Sequence, residues 1–383
     1  MKRYTTPDVT DPELIRAAID FAAKDKHNRP DVAVVLKDKE RYCEALRDMI
    51  VNRSFTPSPC IVMEIIDGAS KKKRKIYCPE FFPDQCFHHV MMQAAAPVIR
   101  KGMIVHSFAS VPGRGPHFGK KFVRKWIDTD RKNTKYVAKL DIRKFYPSIP
   151  HDRMLEKIHR KFKDPTLLWM FDTFIQTHED SPGRGLAIGY YPSQWLSNFY
   201  LQNLDHYIKE TIGVKYYCRY MDDMVLFGAN KKVLRQQLRS IMEFLAEEGL
   251  SVKGNWQIFR LDYVSRRDKR HHGRDLDFMG FRFFCDRTII RRRNSLRIRR
   301  LARRIVKAGY ASIHRAWSLL SSLGWIQHTD SWNFDRRCVS GILSIPRLKR
   351  AVSKYSKRIQ KQKTQEESMY ENCKQRQACR LCC

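Results

Sequence analysis

Apolar residues recur at three- and four-residue spacing through PELIRAAIDFAAKD and DKERYCEALRDMIVNRSF, which predicts helices across residues 11–55. PCIVMEIID at 59–67 and KIYCP at 75–79 are short and apolar, and predict a hairpin across the basic loop Lys71–Lys75. Helical character returns over 81–105. It gives way to the glycine- and proline-punctuated loop SVPGRGPHFG at 110–119, after which a helix ends near Asp130. The period then changes. YVAKLDI at 136–142 reads as a short buried strand and HDRMLEKIHRKF as the start of a helix. PGRGLAIGYYPSQ at 182–194 reads as a loop and WLSNFYLQNLDHYIKE as a helix. In KYYCRYMDDMVLFG at 215–228 two apolar arms meet at a tight turn at Met221–Asp222, a hairpin. Residues 230–248 predict a helix, and LDFMGFRFF at 276–284 a strand or hairpin. This is a βαββαβ-like order, so the expected fold class is α+β, an antiparallel sheet with helices on one face. No internal repeat is visible.

Composition narrows the function. The 383 residues are 43% hydrophobic and 11% aromatic, enough for a sizeable core and too apolar for wholesale disorder. The formal net charge is +34. A load of that size repels itself unless a polyanion neutralises it, and nucleic acid does so with release of counterions. The charge is concentrated. From Arg287 to Lys361 twenty Lys and Arg face only Asp330 and Asp335, a net of +18, more than half of the total. There Leu296, Leu301 and Ile305 keep roughly helical spacing under arginines, with Trp325 and Trp332 expected in the core between basic helices. No stretch approaches the ~20 apolar residues of a membrane span. MKRYTTPDVTDPE lacks the apolar centre of a secretion signal. A reducing cytoplasmic setting without membrane association is therefore expected. Cysteine usage agrees. Cys43, Cys60, Cys78, Cys218 and Cys285 stand singly in apolar contexts, as small core residues do, while Cys373, Cys379, Cys382 and Cys383 belong to a polar, flexible tail.

Three acids carry the chemistry. Asp141 ends an apolar strand. Asp222 and Asp223 occupy the tip of a hairpin 81 residues later, between apolar arms. Adjacent carboxylates in such a setting raise one another's pKa or require a cation. A pair of Mg²⁺ ions, with Mn²⁺ as a substitute, suits hard oxygen ligands and can serve in-line nucleotidyl transfer at a primer 3′-hydroxyl.

YMDD at 220–223 is similar to motif C of reverse transcriptases, and LDIRKFYPSI at 140–149 resembles their motif A. The resemblance runs over roughly residues 60–355 and implies a right-hand polymerase. Residues 1–58 would be an N-terminal helical extension, 59–135 fingers, 136–285 palm, 286–360 a helical basic thumb and 361–383 a tail. It implies that Asp141, Asp222 and Asp223 bind metal, that Ile142 adds a backbone carbonyl, and that Tyr146 is the gate against a 2′-hydroxyl. The loop and helix start at 182–198, with Ile188, Gly189, Ser193 and Gln194, resemble motif B in the form found in diversity-generating retroelements. There this loop is linked to poor fidelity opposite template adenines. Arg74 in RKIYCP and Arg114 in SFASVPGRGPHFG match nucleotide-binding arginines of the fingers. In the second loop Val111 stands where the family often has another Arg, and Gly115 replaces Ser. LDFMGFRFF resembles the primer grip, with Phe278, Met279 and Gly280. GLSVKGNWQIF resembles motif D, with Lys253 as the acid that protonates pyrophosphate. His88, His89 and His117 are expected to pack or hydrogen-bond. The implied partners are an RNA template, a DNA or RNA primer, dNTPs and a basic oligomeric accessory variability protein. The implied activity is RNA-directed DNA synthesis from a template-repeat RNA. A phage-defence reverse transcriptase using a non-coding RNA is the alternative, and a catalytically silent RNA-binding scaffold the remote one.

Overall fold

The computed structural model describes residues 4–66 and 73–361; the four tail cysteines and the tip of the basic loop, Lys71 included, lie outside them. The chain divides into two compact units. The first comprises the chain up to Leu261 with Arg270–Arg274. The second comprises Asp262–Lys269 and the chain from Asp275 onward.

The first unit opens with three helices: α1 (Pro12–Ala23), α2 (Pro30–Lys37) and α3 (Lys39–Val51). Asp11 caps α1 by accepting the Glu13 N–H, and Pro12 starts it with a φ already suited to a helix. An antiparallel hairpin follows, β1 (Ile61–Ile66) with β2 (Lys73–Cys78), in register Ile61 to Cys78. Then come α4 (Cys86–Lys101), α5 (Pro116–Thr129), β3 (Tyr136–Asp141), α6 (His151–Lys161), α7 (Pro165–Gln176), α8 (Tyr191–Tyr200), β4 (Tyr216–Tyr220), β5 (Asp223–Gly228), α9 (Lys231–Glu247) and β6 (Gln257–Arg260).

The central sheet has the order β4-β5-β3-β6 and is antiparallel throughout. Its last strand is Gln257–Arg260, which pairs with β3 from Tyr136↔Arg260 to Lys139↔Gln257. The segment expected there, 276–284, instead forms a sheet of its own in the second unit. The sheet is also covered on both faces rather than one. Tyr217 and Leu226 oppose each other in the main core with Leu234, Leu238 and Ile241 of α9. On the other face Tyr216 and Phe227 oppose each other and meet the Trp126 ring of α5, at 5.3 and 6.2 Å. The unbroken apolar run Met224–Phe227 is buried residue by residue, as a strand covered on both sides requires.

Prolines account for two shifted boundaries. Pro116 and Pro192 each sit in the first turn of a helix, where a missing N–H costs nothing. The loop after 110 therefore ends at Gly115, and Ser193 and Gln194 lie on a helix rather than in a loop.

His88 and His89 of α4 pack as expected. His88 is buried against Phe174 and Tyr190, with ring centroids at 5.0 and 5.1 Å, and His89 stacks on Tyr191 at 4.2 Å. Burial pushes them down to about 3 and about 4. The unfolded chain takes up their protons near pH 6.5 and the native chain refuses them, so stability should fall as pH drops from 6.5 toward 4. The slope is up to about 1.4 kcal/mol per pH unit for each. Thermal melts of His88→Leu over that range should lose up to about 1.4 kcal/mol per pH unit of slope relative to wild type; an unchanged slope would place the acid sensitivity elsewhere.

The second unit contains an antiparallel sheet of β7 (Leu276–Phe278), β8 (Phe281–Phe283) and β9 (Thr288–Ile290), followed by α10 (Arg292–Ala308) and α11 (Ile313–Gln327). Ile298, Ala302 and Ile305 form the buried seam of α10, against Ala316, Leu319 and Leu323. Leu296 lies just off that seam, half-buried. Trp325 packs on Phe281 at 5.1 Å, whereas Trp332 is 64% exposed rather than in the core. Cys60 and Cys78 are half-buried, and Cys43, Cys218 and Cys285 are buried. No helix among the described residues is long and apolar enough to cross a membrane.

Candidate active site

The three acids meet at one end of the central sheet. Asp141, the last residue of β3, lies directly opposite Asp223, the first of β5. Asp222 precedes it in the turn, and its carbonyl accepts the Ile142 N–H at 3.3 Å. Local sequence produces this. β3 and β5 are pinned together by the side chains of Val137, Ala138, Leu140 and Met224–Phe227, which they bury, and the two-residue turn leaves the acids at the rim. Met221 has φ +56, in the left-handed region that closes such a turn.

The electrostatics follow from the crowding. Burial first, then the charge of Asp141, a hydrogen bond with it and the charge of Asp223, lift the Asp222 carboxyl to about 6. Two amines supply countercharge. Lys253 donates its backbone N–H to the Asp141 carbonyl at 2.8 Å and its Nζ to Asp141 Oδ1 at 2.5 Å. Lys139 Nζ is 3.8 Å from Asp223 Oδ1. Two carboxylates that raise the proton affinity of a third between them complete a hard-oxygen donor set that fits a pair of divalent cations.

Tyr146 sits on a single helical turn, Phe145–Ser148, just after β3. Its ring is half-buried, and its hydroxyl lies 3.5 Å from Ser197 Oγ on α8. Burial raises its pKa and the Asp222 charge adds to the rise, while a hydrogen bond with Ser197 and the charge of Arg74 on β2 oppose it. Gly189 presses on β2. A Cβ there would lie 2.3 Å from the Tyr77 carbonyl oxygen, and the Tyr77 N–H donates to the Ile188 carbonyl at 2.7 Å. Ser193 is buried on α8, and among the described residues its Oγ has no hydrogen-bond partner. Gln194 is exposed and, with Gly189, Tyr77 and Tyr191, lines a groove of about 950 Å³ that extends to Phe21, Lys24 and Lys26.

The remaining candidate residues make local contacts of their own. Arg114 donates from Nη1 to the carbonyls of Ile104 and Ser107, at 2.6 and 3.1 Å, and so braces its own loop. Phe278, Met279 and Gly280 form the turn of the β7–β8 hairpin in the second unit. Both Met279 and Gly280 have positive φ, and a Cβ on Gly280 would meet the Trp325 ring at 2.6 Å.

Sequence reading missed one group altogether. Arg219, two residues before the turn, is completely buried and paired with buried Asp205. A charge in the middle of a strand predicted to be buried demands a partner, and that was the available signal.

An α+β fold that gathers three carboxylates at the tip of a hairpin is suited to two-cation phosphoryl chemistry on a nucleic acid. The signature of the reverse transcriptase (RNA-dependent DNA polymerase) family matches residues 24–282, and the chain belongs to that family. None of the curated proteins compared with it matches. Solved chains similar to it include two telomerases. One is apo telomerase from Candida tropicalis truncated from its C-terminal domain (13% identity, TM-score 0.40, covering 64% of this chain and 59% of that one). The other is apo telomerase from Candida tropicalis (12% identity, TM-score 0.42, covering 63% and 52%). The chain thus spans little more than half the length of either.

Proposed function

We propose that the chain is an RNA-directed DNA polymerase that copies a template-repeat RNA into adenine-mutagenised cDNA in a diversity-generating retroelement. The observation that carries the polymerase reading is the convergence of Asp141, Asp222 and Asp223 at one sheet end. Residues 59–135 then serve as fingers, 136–285 as palm and 286–360 as thumb, whose arginines follow a nucleic-acid backbone by charge.

Asp141, Asp222 and Asp223 would hold two Mg²⁺ ions, which when bound activate a primer 3′-hydroxyl and stabilise the departing pyrophosphate. The chain's own groups do the rest. The Ile142 carbonyl is assigned to the nucleotide-side ion. Lys253, already seated on Asp141, places an ammonium where a proton can be given to pyrophosphate. Tyr146 sets its ring beside the acids, where a 2′-hydroxyl would collide with it. Arg74 brings positive charge to the same place from β2, for the triphosphate. The groove beside Gly189 and Gln194, with Tyr77, Tyr191 and Phe21 on its walls and Lys24 and Lys26 at its edge, suits a single-stranded template by stacking and charge. The retroelement assignment rests on Ile188, Gly189, Ser193 and Gln194.

Primer extension on an RNA template tests both levels. Wild type should add dNTPs with Mg²⁺ and stop with EDTA, and Tyr146→Ala should accept ribonucleotides about tenfold or more readily, the loss of a steric rejection worth about 1.4 kcal/mol or more. No extension on any primed RNA removes the polymerase reading, and unchanged ribonucleotide discrimination removes the gate. A template/variable repeat pair differing at adenines in the flanking DNA supports the retroelement. A non-coding RNA gene in its place supports the defence role.

A further inference from the structure

Arg219 makes a set of contacts that the polymerase chemistry does not itself call for. Its Nε and Nη2 form a bidentate pair with Asp205, at 2.9 and 2.6 Å. Nη1 donates to Asn198 Oδ1 at 2.9 Å and to the Met221 carbonyl at 3.0 Å. The Tyr217 hydroxyl donates to the same Asp205 at 2.7 Å. The backbone is held as well, by Arg219 N–H to the His106 carbonyl and Phe108 N–H to the Arg219 carbonyl, both 3.0 Å.

The Met221 carbonyl belongs to the peptide that leads into Asp222. Met221 itself occupies the left-handed region, which a residue with a side chain keeps only under constraint. The bond from Asp222 to the neighbouring strand is long, 3.3 Å from the Ile142 N–H. A charge-assisted bond from a guanidinium clamped on its other side is a firmer restraint on that peptide. Asn198, on α8, extends the clamp within that helix by donating to the Gln194 carbonyl at 3.2 Å, and to the segment between α4 and α5 by donating to the Ala109 carbonyl at 3.0 Å.

We infer that Arg219 is a positioning residue that fixes the Met221–Asp222 peptide and so aims the hairpin carboxylates at Asp141. The inference rests on the polymerase reading of those acids, and its test is read on the acids themselves. A buried Arg–Asp pair can also serve the fold alone. Arg219→Lys separates the two roles. It keeps a charge for Asp205, but a single ammonium cannot also reach Asn198 and the Met221 carbonyl. Tyr217→Phe is the control: it weakens the Asp205 cluster and leaves the bond to Met221 in place.

Mn²⁺ is titrated into the full chain without nucleic acid and followed by electron paramagnetic resonance, and single-nucleotide extension gives kcat and KM. Arg219→Lys should bind Mn²⁺ roughly tenfold more weakly, as loss of a group that orients metal ligands does. Its kcat should fall roughly 30-fold or more with KM for dNTP within about twofold. Tyr217→Phe should melt earlier with both values within about twofold of wild type. Asn198→Ala, which leaves the ion pair intact, should weaken Mn²⁺ binding by about threefold, and it carries the test if the lysine variant does not fold. Wild-type Mn²⁺ affinity in Arg219→Lys or Asn198→Ala overturns the inference, as does equal loss in Tyr217→Phe. If wild type extends no primer but the Mn²⁺ series behaves as stated, the polymerase reading falls and the positioning role stands.

Discussion

Asp222→Ala should lower Mg²⁺-dependent primer extension by three orders of magnitude or more while leaving the metal-free protein as stable as wild type, or more so. The first half is about 4 kcal/mol of lost transition-state stabilisation, the cost expected if Asp222 is one of the carboxylates that would hold the catalytic ions. The second half follows from the same carboxyl. Burial and two acidic neighbours lift it to about 6, so above that pH the native state carries a charge that its surroundings oppose. An unfolded aspartate ionises near 3.9. The wild-type penalty is therefore absent below about pH 4, grows between 4 and 6, and is fully present at 7.5, where it is on the order of 1–3 kcal/mol. Alanine removes it. The variant's advantage in melting temperature should accordingly be largest at pH 7.5 and fade toward pH 4. Adding Mg²⁺ should raise the wild-type midpoint and not the variant's, since only a native state that binds the ion gains from it. Extension within tenfold of wild type would end the catalytic assignment. A midpoint several degrees lower at pH 7.5 would make Asp222 a structural acid instead.

The acids were legible in the sequence because their setting is local. Asp141 closes an apolar run, and Asp222 and Asp223 interrupt another, so a strand and a hairpin follow from side-chain pattern alone. What pattern could not supply was pairing. LDFMGFRFF is the more apolar strand, yet QIFR, with only Ile258 and Phe259 half-buried, takes the edge of the central sheet, because register beside β3 is set by tertiary packing. The helix Pro165–Gln176 left no periodic signal. Its PTLLWMF stretch is apolar on every side, and Asp164, accepting the Leu167 N–H at 2.6 Å, marks its start. Arg219 is the counterpart among polar residues. Its partners, Asp205 and Asn198, lie 14 and 21 residues earlier on helical segments, and nothing in one dimension joins them. The motif match at Arg114 likewise gave no hint that its Nη1 donates to two backbone carbonyls, those of Ile104 and Ser107.

Gly189→Ala should be among the most damaging changes outside the carboxylates, with kcat/KM for dNTP lower by roughly 30-fold or more, about 2 kcal/mol. Two costs combine. At φ +117 a side chain is strained wherever it points, and its first carbon would lie 2.3 Å from the Tyr77 carbonyl oxygen and 2.9 Å from Ile76 Cγ2. The nearer atom is backbone, so no rotamer change relieves the clash. Either the loop or β2 must retreat, and the 2.7 Å hydrogen bond from Tyr77 to Ile188 breaks first. β2 also carries Arg74, whose charge reaches Tyr146, and the loop runs directly into Gln194. A shift of even 1 Å therefore disturbs both the space assigned to the incoming nucleotide, through Arg74, and the groove assigned to the template, through Gln194, and misplacement on that scale can cost two orders of magnitude. Gly183 separates strain from close approach. It has φ +66 in the same stretch of chain, and nothing lies within 4 Å of where its Cβ would be. Gly183→Ala should thus show only the conformational cost, about 1 kcal/mol of stability, with kcat/KM within about threefold. Steady-state kinetics and melts of the two variants side by side decide the matter, because equal losses in both would mean that the glycine at 189 serves its backbone angle and not the tight packing on β2.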